Sequence, residues 1–201
     1  MQEIWQSIIV AAQQMSVAEM LAVVFAVASV FLSKKENILV YPTGITSVLI
    51  YVYLCFEAKI YADVIINVFY FVMSIYGWYN WVAKRNNSTI KITKNSNKEN
   101  LIAVLITLFL WFILYFILTN YTDSPVGLVD SFTTAVFFVG MWLMAWKRIE
   151  NWLFFIVGDI VSIPLYWSRE LHLSSLLNIL LTVIAILAFF EWRKKLKSRV
   201  D

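Results

Sequence analysis

Seven long apolar runs, separated by short polar breaks, leave this chain little choice of solvent. They lie at residues 17–33, 38–56, 61–82, 101–119, 129–146, 151–167 and 172–190. A helix needs about 20 mostly apolar residues, within a range of about 17 to 25, to cross a hydrocarbon core. Each run therefore reads as a membrane-crossing helix. Composition agrees, since 61% of the 201 residues are hydrophobic and 14% are charged, against about 25% charged in a soluble domain. The expected fold is an all-α integral membrane protein of seven transmembrane helices. The breaks are mostly so short that neighbours must pack as antiparallel hairpins.

Charge then sets the orientation. With seven spans, Lys34, Lys35, Lys84, Arg85, Lys91, Lys94, Lys98, Lys147, Arg148, Arg193, Lys194, Lys195, Lys197 and Arg199 fall on one side, fourteen of the sixteen basic residues. Only Lys59 and Arg169 fall on the other. Cytoplasmic loops carry the excess of Lys and Arg, so the N-terminus is expected outside and the C-terminus inside. The segment 1–15 lacks the basic start of a secretory signal. Its apolar Ile4, Trp5, Ile8, Ile9 and Ala12 recur at helical spacing, which predicts an amphipathic interfacial helix that stays on the protein. The basic loop 84–100 alternates around Ile90 and Ile92. It reads as a solvated, headgroup-facing cytoplasmic loop, with a small hairpin as the alternative and no basis for assigning a nucleic acid partner.

The chain also repeats itself. At an offset of 114, Lys34 falls on Arg148, Glu36 on Glu150, Asn37 on Asn151, Leu39 on Leu153 and Gly44 on Gly158; after a three-residue deletion the offset becomes 111, and Asn67 falls on Asn178 and Trp81 on Trp192. Equivalent helices are an even number of spans apart, so the copies run in the same direction. This predicts a 3+1+3 parallel repeat: a first bundle at 16–83, a linker helix at 101–119, a second bundle at 128–192 and a basic tail at 193–201. Transporters use such duplication to form two bundles that rock around a midplane site, and the sugar transporters called SWEETs share the plan.

Polar residues inside the spans are the functional candidates, because charge is costly at the bilayer centre. Asp159 is the one acid at midplane depth. Its counterpart at offset 114, Ile45, is apolar, so the fold does not require the acid. It either contacts a ligand or hydrogen-bonds a neighbouring Ser, Thr or Asn. Asn67, Phe71, Ser74, Trp78 and Trp81 share one helix face, and Asn178, Thr182, Ala185, Phe189 and Trp192 repeat that pattern. Both faces are expected to turn inward. Asn67 and Asn178 would contact ligand or tie helices together by an interhelical hydrogen bond of about 1 kcal/mol. Trp78, Trp81 and Trp192 fit an aromatic belt, with Trp78 and Trp81 also candidates for substrate contact, while Trp142 and Tyr70 are deep enough to stack on a solute. Gly44, Gly158, Pro42 and Pro164 sit in the second helix of each copy, as hinges or as close-packing points. An acid, deep aromatics and amides suit a flat cationic solute, held by charge and cation-π attraction.

Enzymatic readings find little support. Five glycines form neither a phosphate loop nor a dinucleotide fingerprint, so no cofactor is expected. Cys55 and His172 are each alone, which leaves no metal site, and both read as ordinary packing or interface residues.

The run INVFYFVMSIYGWYNWVAKR at residues 66–85, with Y-G-W-Y-x-W at Tyr76 to Trp81, resembles the third helix of the PnuC-type vitamin transporters. The run MAWKRIENWLFFIVGDIVSIPLY at residues 144–166 resembles the same family through K/R-x-x-E-N-W at Lys147 to Trp152. The similarity extends from about residue 17 to 195. It implies uptake of a B-vitamin precursor by facilitated diffusion through a bacterial cytoplasmic membrane. Nicotinamide riboside is the usual substrate, with thiamine or riboflavin in related subgroups, and a cytosolic kinase traps the solute without needing to bind the transporter. One departure keeps thiamine open: Asp159 stands where the nicotinamide riboside transporters are expected to carry an amide. A non-transporting membrane receptor, proton coupling through Asp159 and a homo-oligomeric assembly also remain open.

Overall fold

The computed structural model describes residues 2–83, 89–121 and 127–198. These form eight helices: α1 (Gln2–Gln14), α2 (Val17–Lys34), α3 (Val40–Glu57), α4 (Tyr61–Val82), α5 (Asn97–Tyr121), α6 (Gly127–Ala145), α7 (Asn151–Ser168) and α8 (His172–Lys197). Among the described residues there is no strand, only a single parallel bridge between Thr93 and Arg148. Helices α2, α3, α5, α6 and α8 are long and apolar enough to cross a membrane. Tyr, Trp, Asn and Asp residues dilute the hydropathy of α4 and α7, the two helices that carry Asn67, Tyr70 and Asp159.

Six helices close into a ring. Each packs on the next in the order α2, α3, α4, α6, α7, α8, and α8 returns to α2. Among the described residues, helix α5 packs only on α6, and α1 only on α8. The Trp111 indole, which donates to the Leu128 carbonyl at 2.9 Å, helps hold α5 in place.

Two boundaries differ from the apolar runs. Helix α5 starts at Asn97 rather than 101, because Ser96 and Glu99 form a capping box: the Glu99 N–H donates to Ser96 Oγ at 3.3 Å and the Ser96 N–H to Glu99 Oε2 at 2.7 Å. Such reciprocal bonds satisfy otherwise orphaned helix-start donors. Helix α8 continues to Lys197, so most of the expected basic tail is its last turn, where Lys194, Lys195 and Lys197 complement the helix dipole.

The segment after α4 is only partly the solvated loop expected. Residues 84–88 lie outside the described residues; in 89–96 Thr89, Lys91, Thr93, Lys94 and Ser96 are exposed, whereas Ile92 and Asn95 are buried. Ile92 is only 2% exposed and packs with Trp81, Trp152, Trp192 and Ile149. The strap is then fastened to the α6–α7 turn. Thr93 donates to the Lys147 carbonyl at 3.1 Å and accepts from the Ile149 N–H at 3.0 Å, and the Asn95 N–H donates to Glu150 at 3.1 Å.

The structural repeat keeps one register. Helices α2 and α6 end 111 residues apart, α3 and α7 share both bounds at that offset, and α4 and α8 start at it. The loops agree. Glu36, Lys59, Lys147 and Glu170 are the described non-glycine residues with positive φ, at 56°, 59°, 50° and 61°, again two pairs at offset 111. Each closes a Schellman turn: Glu36 N–H donates to Ser33 O and Asn37 N–H to Leu32 O, and Lys147 and Arg148 repeat this with Met144 and Leu143. The 114 offset is therefore a coincidence of local sequence. Glu36 corresponds to Lys147, not Glu150, and Asp159 corresponds to Val48, not Ile45. Gly44 and Gly158 are not equivalent, nor are Pro42 and Pro164.

Candidate functional site

A cluster of aromatic rings seals the bundle at its basic end. The Tyr41 and Trp81 rings meet edge to face at 5.2 Å and 88°, and their equivalents at offset 111, Trp152 and Trp192, do so at 5.4 Å and 88°. Trp81 and Trp192 then meet each other at 6.4 Å. Their ring nitrogens are used reciprocally. Trp81 Nε1 donates to the Met144 carbonyl at the end of α6 at 3.1 Å, and Trp192 Nε1 to the Lys34 carbonyl at the end of α2 at 3.0 Å. At 4% and 0% exposure these are core residues, which replaces the aromatic-belt reading. Trp78, 38% exposed, does face outward and takes no part in the cluster, so the predicted inward face of α4 holds at Ser74 and Trp81 but fails at Trp78.

Asp159 lies in the middle of α7, 5% exposed. Among the described residues no hydrogen bond reaches its carboxylate, so the expected tie to a neighbouring Ser, Thr or Asn does not form. Tyr70 of α4 and Tyr166 of α7 lie within its electrostatic reach. Tyr166 is seven residues from Asp159, on the same helix face, a spacing legible in the sequence. Tyr70 packs edge to face on Phe138 of α6 at 5.6 Å, and Phe69 stacks on Phe138 at 3.7 Å. The α4–α6 seam thus places the Tyr70 phenol, backed by Phe138, on the side of the acid. At the end of the bundle away from the aromatic cluster Arg169, just past α7, pairs with Asp130 of α6 at 2.7 Å.

The two asparagines behave alike but do not tie helices together. Asn67 Nδ2 donates to the Asp63 carbonyl and Asn178 Nδ2 to the Ser174 carbonyl, both at 2.8 Å and both within their own helix. Thr182 adds a bond to the Asn178 carbonyl at 2.8 Å, so the inner face of α8 is polar and buried. Trp142 packs with Ala103, Ile106, Leu110, Val139 and Leu143 in the α5–α6 seam, and the structure does not bring it to Asp159. An apolar groove of about 290 Å³ in that seam, lined by Leu108, Trp111, Phe112, Tyr115 and Leu128, contains no charged side chain.

The glycines serve close packing. A Cβ on Gly158 would meet the Phe137 ring at 2.5 Å, and one on Gly44 would meet Ser29 Oγ at 3.0 Å. Pro42 lies in the first turn of α3, where its missing N–H has no intrahelical partner to lose. Pro164 lies inside α7 and does remove a helix bond.

A ring of six helices, four of them long and apolar enough to cross a membrane, around a buried carboxylate that has no hydrogen bond among the described residues has the build of a membrane transport protein. Its sequence matches the nicotinamide mononucleotide transporter family over residues 16–194, and the chain belongs to that family. It is 25% identical over 194 residues to the nicotinamide riboside transporter PnuC of Escherichia coli K12, covering 84% of this chain and 81% of that one. The PnuC of Shigella flexneri matches to the same extent. Its fold resembles the crystal structure of the vitamin B3 transporter PnuC, with a TM-score of 0.74 and 20% identity over 97% of this chain and 88% of that one. The protein is a membrane transporter, and its relatives are named as transporters rather than enzymes.

Proposed function

We propose that this chain imports a vitamin precursor with a cationic aromatic ring, nicotinamide riboside foremost, by facilitated diffusion across the bacterial cytoplasmic membrane. The carrying observation is Asp159, buried and, among the described residues, without a hydrogen bond. An ionised carboxylate in that position costs several kcal/mol unless a partner neutralises it, and a cationic ring bound beside Tyr70 and Tyr166 would do so. In this reading α4 and α7 also cross the membrane. The fold is then a seven-helix 3+1+3 parallel repeat of the SWEET type, with α5 as linker, α1 lying at the interface, the N-terminus outside and the basic end cytoplasmic. Phosphorylation by a cytosolic kinase would trap the solute. Asn67 and Asn178 offer side-chain oxygens to a ribose or amide.

The test is counterflow in liposomes with no ion gradient and no ATP. Nicotinamide riboside should exchange saturably, and Asp159→Asn should lower that exchange by at least about tenfold, the equivalent of 1.4 kcal/mol. Thiamine tested alongside decides the second reading, which the acid favours where an amide is expected. Exchange of thiamine alone would move the substrate assignment, and exchange of neither by folded protein would overturn the transport reading.

A further inference from the structure

The four Schellman turns share an anomaly. The residue after the helix cap adopts positive φ, a conformation that glycine takes freely and other residues only under strain. Here all four positions carry a charge, and the charges are opposite within each equivalent pair: Glu36 with Lys147 at the basic end, Lys59 with Glu170 at the other. At the basic end the two equivalent residues meet, with Lys147 Nζ 3.3 Å from Glu36 Oε2. Lys195 reaches the second oxygen of Glu36 at 3.1 Å and also pairs with Glu191. Lys147 lies over the Trp81 ring at 4.2 Å. Equivalent residues also touch just beneath, where Ser33 Oγ lies 3.6 Å from Met144 Sδ. At the other end Lys59 and Glu170 are exposed, and no ion pair joins them.

We propose that these turns are reciprocal latches. Glu36–Lys147 locks the basic end shut in this structure, and Lys59–Glu170 is the matching latch that engages when the first one opens. Resting on the transport reading, the pairs would mark the two limits of the rocking motion between the repeats. Equivalent turns lie at matching ends of α3 and α7, so unlike charges on them approach when the halves close at that end and part when the halves open. Paying helix-end strain for a charged residue makes sense when the side chain has a partner to find, and glycine would have none.

Two thiol readouts in a Cys55→Ser background test this without any substrate. Ser33→Cys, buried beneath the closed latch, should react slowly with an impermeant maleimide applied from the basic side. Adding Glu36→Gln or Lys147→Met should raise that rate about tenfold, while Ser131→Cys, equally buried elsewhere in α6, should stay unreactive and so exclude general loosening. Separately, a short bismaleimide should join Lys59→Cys to Glu170→Cys poorly, and several-fold better once Glu36→Gln is present. Unchanged Ser33→Cys labelling, or cross-linking indifferent to Glu36→Gln, overturns the proposal, as does equal reactivity of Ser131→Cys. Because neither readout requires vitamin flux, latches can fail while transport stands, and transport can fail while the latches stand.

Discussion

Asp159 and the paired tryptophans make opposite demands at the level of single side chains. The acid was legible because a charge inside an apolar run is conspicuous, whereas Trp81 and Trp192 were misread because a belt tryptophan and a core tryptophan look alike in sequence. What separates them is the carbonyl each indole finds on the other repeat, which no local pattern announces. Replacing the isolated acid with Asn should keep or raise the melting temperature of ligand-free protein in detergent, since it removes a buried carboxyl group that no hydrogen bond satisfies among the described residues, even as it weakens vitamin binding. A clear fall in melting temperature would mean that the carboxylate serves the fold instead. Trp81→Phe and Trp192→Phe should each destabilise by about 1 to 3 kcal/mol, because a buried carbonyl loses its donor. The two losses should be similar in chemical denaturation, since the two sites are equivalent; a loss confined to one would show that the reciprocity is only geometric.

At the level of helices, most boundaries could be read from the apolar runs and their polar breaks. The errors have local causes. S-x-x-E at Ser96–Glu99 was a readable helix start that the basic composition of the loop masked. The 114 offset arose because Glu and Asn happen to follow a basic residue in both copies, whereas the repeat is set by Schellman turns that depend on backbone conformation and here share no residue type between copies at the positive-φ position. Helix contacts at glycine give a ranked prediction for melting temperature. Gly77→Ala should cost most, because its Cβ would lie 2.6 Å from the Tyr41 ring, which Trp81 holds in place. Gly158→Ala should cost less, since the half-buried Phe137 can shift, and Gly44→Ala least, where the 3.0 Å contact asks only a small displacement of the Ser29 hydroxyl from its bond to the Val40 carbonyl. Overpacking of this kind costs about 1 to 3 kcal/mol; an inverted order would mean that the seams yield at different places than the contacts indicate.

For the molecule as a whole, the closed ring of six helices with α5 outside it could not be deduced from composition, because apolar lipid and apolar neighbour attract the same residues. The strap makes the same point, since a basic, polar segment conceals one isoleucine that completes the aromatic core at the basic end. Ile92→Asn should lower stability by about 2 to 5 kcal/mol, combining a lost buried side chain with an unpaired amide, and should expose the strap to proteolysis first. Resistance of the strap to protease in that variant would show that its hydrogen bonds to the α6–α7 turn suffice. The meeting of Glu36 with Lys147 has one more consequence, in ancestry. Two identical three-helix chains assembled as a symmetric homodimer must place like beside like on their shared axis, so Glu would face Glu or Lys would face Lys. Joined in one polypeptide, the halves can diverge, and an attraction forbidden to the homodimer becomes available to its fused descendant.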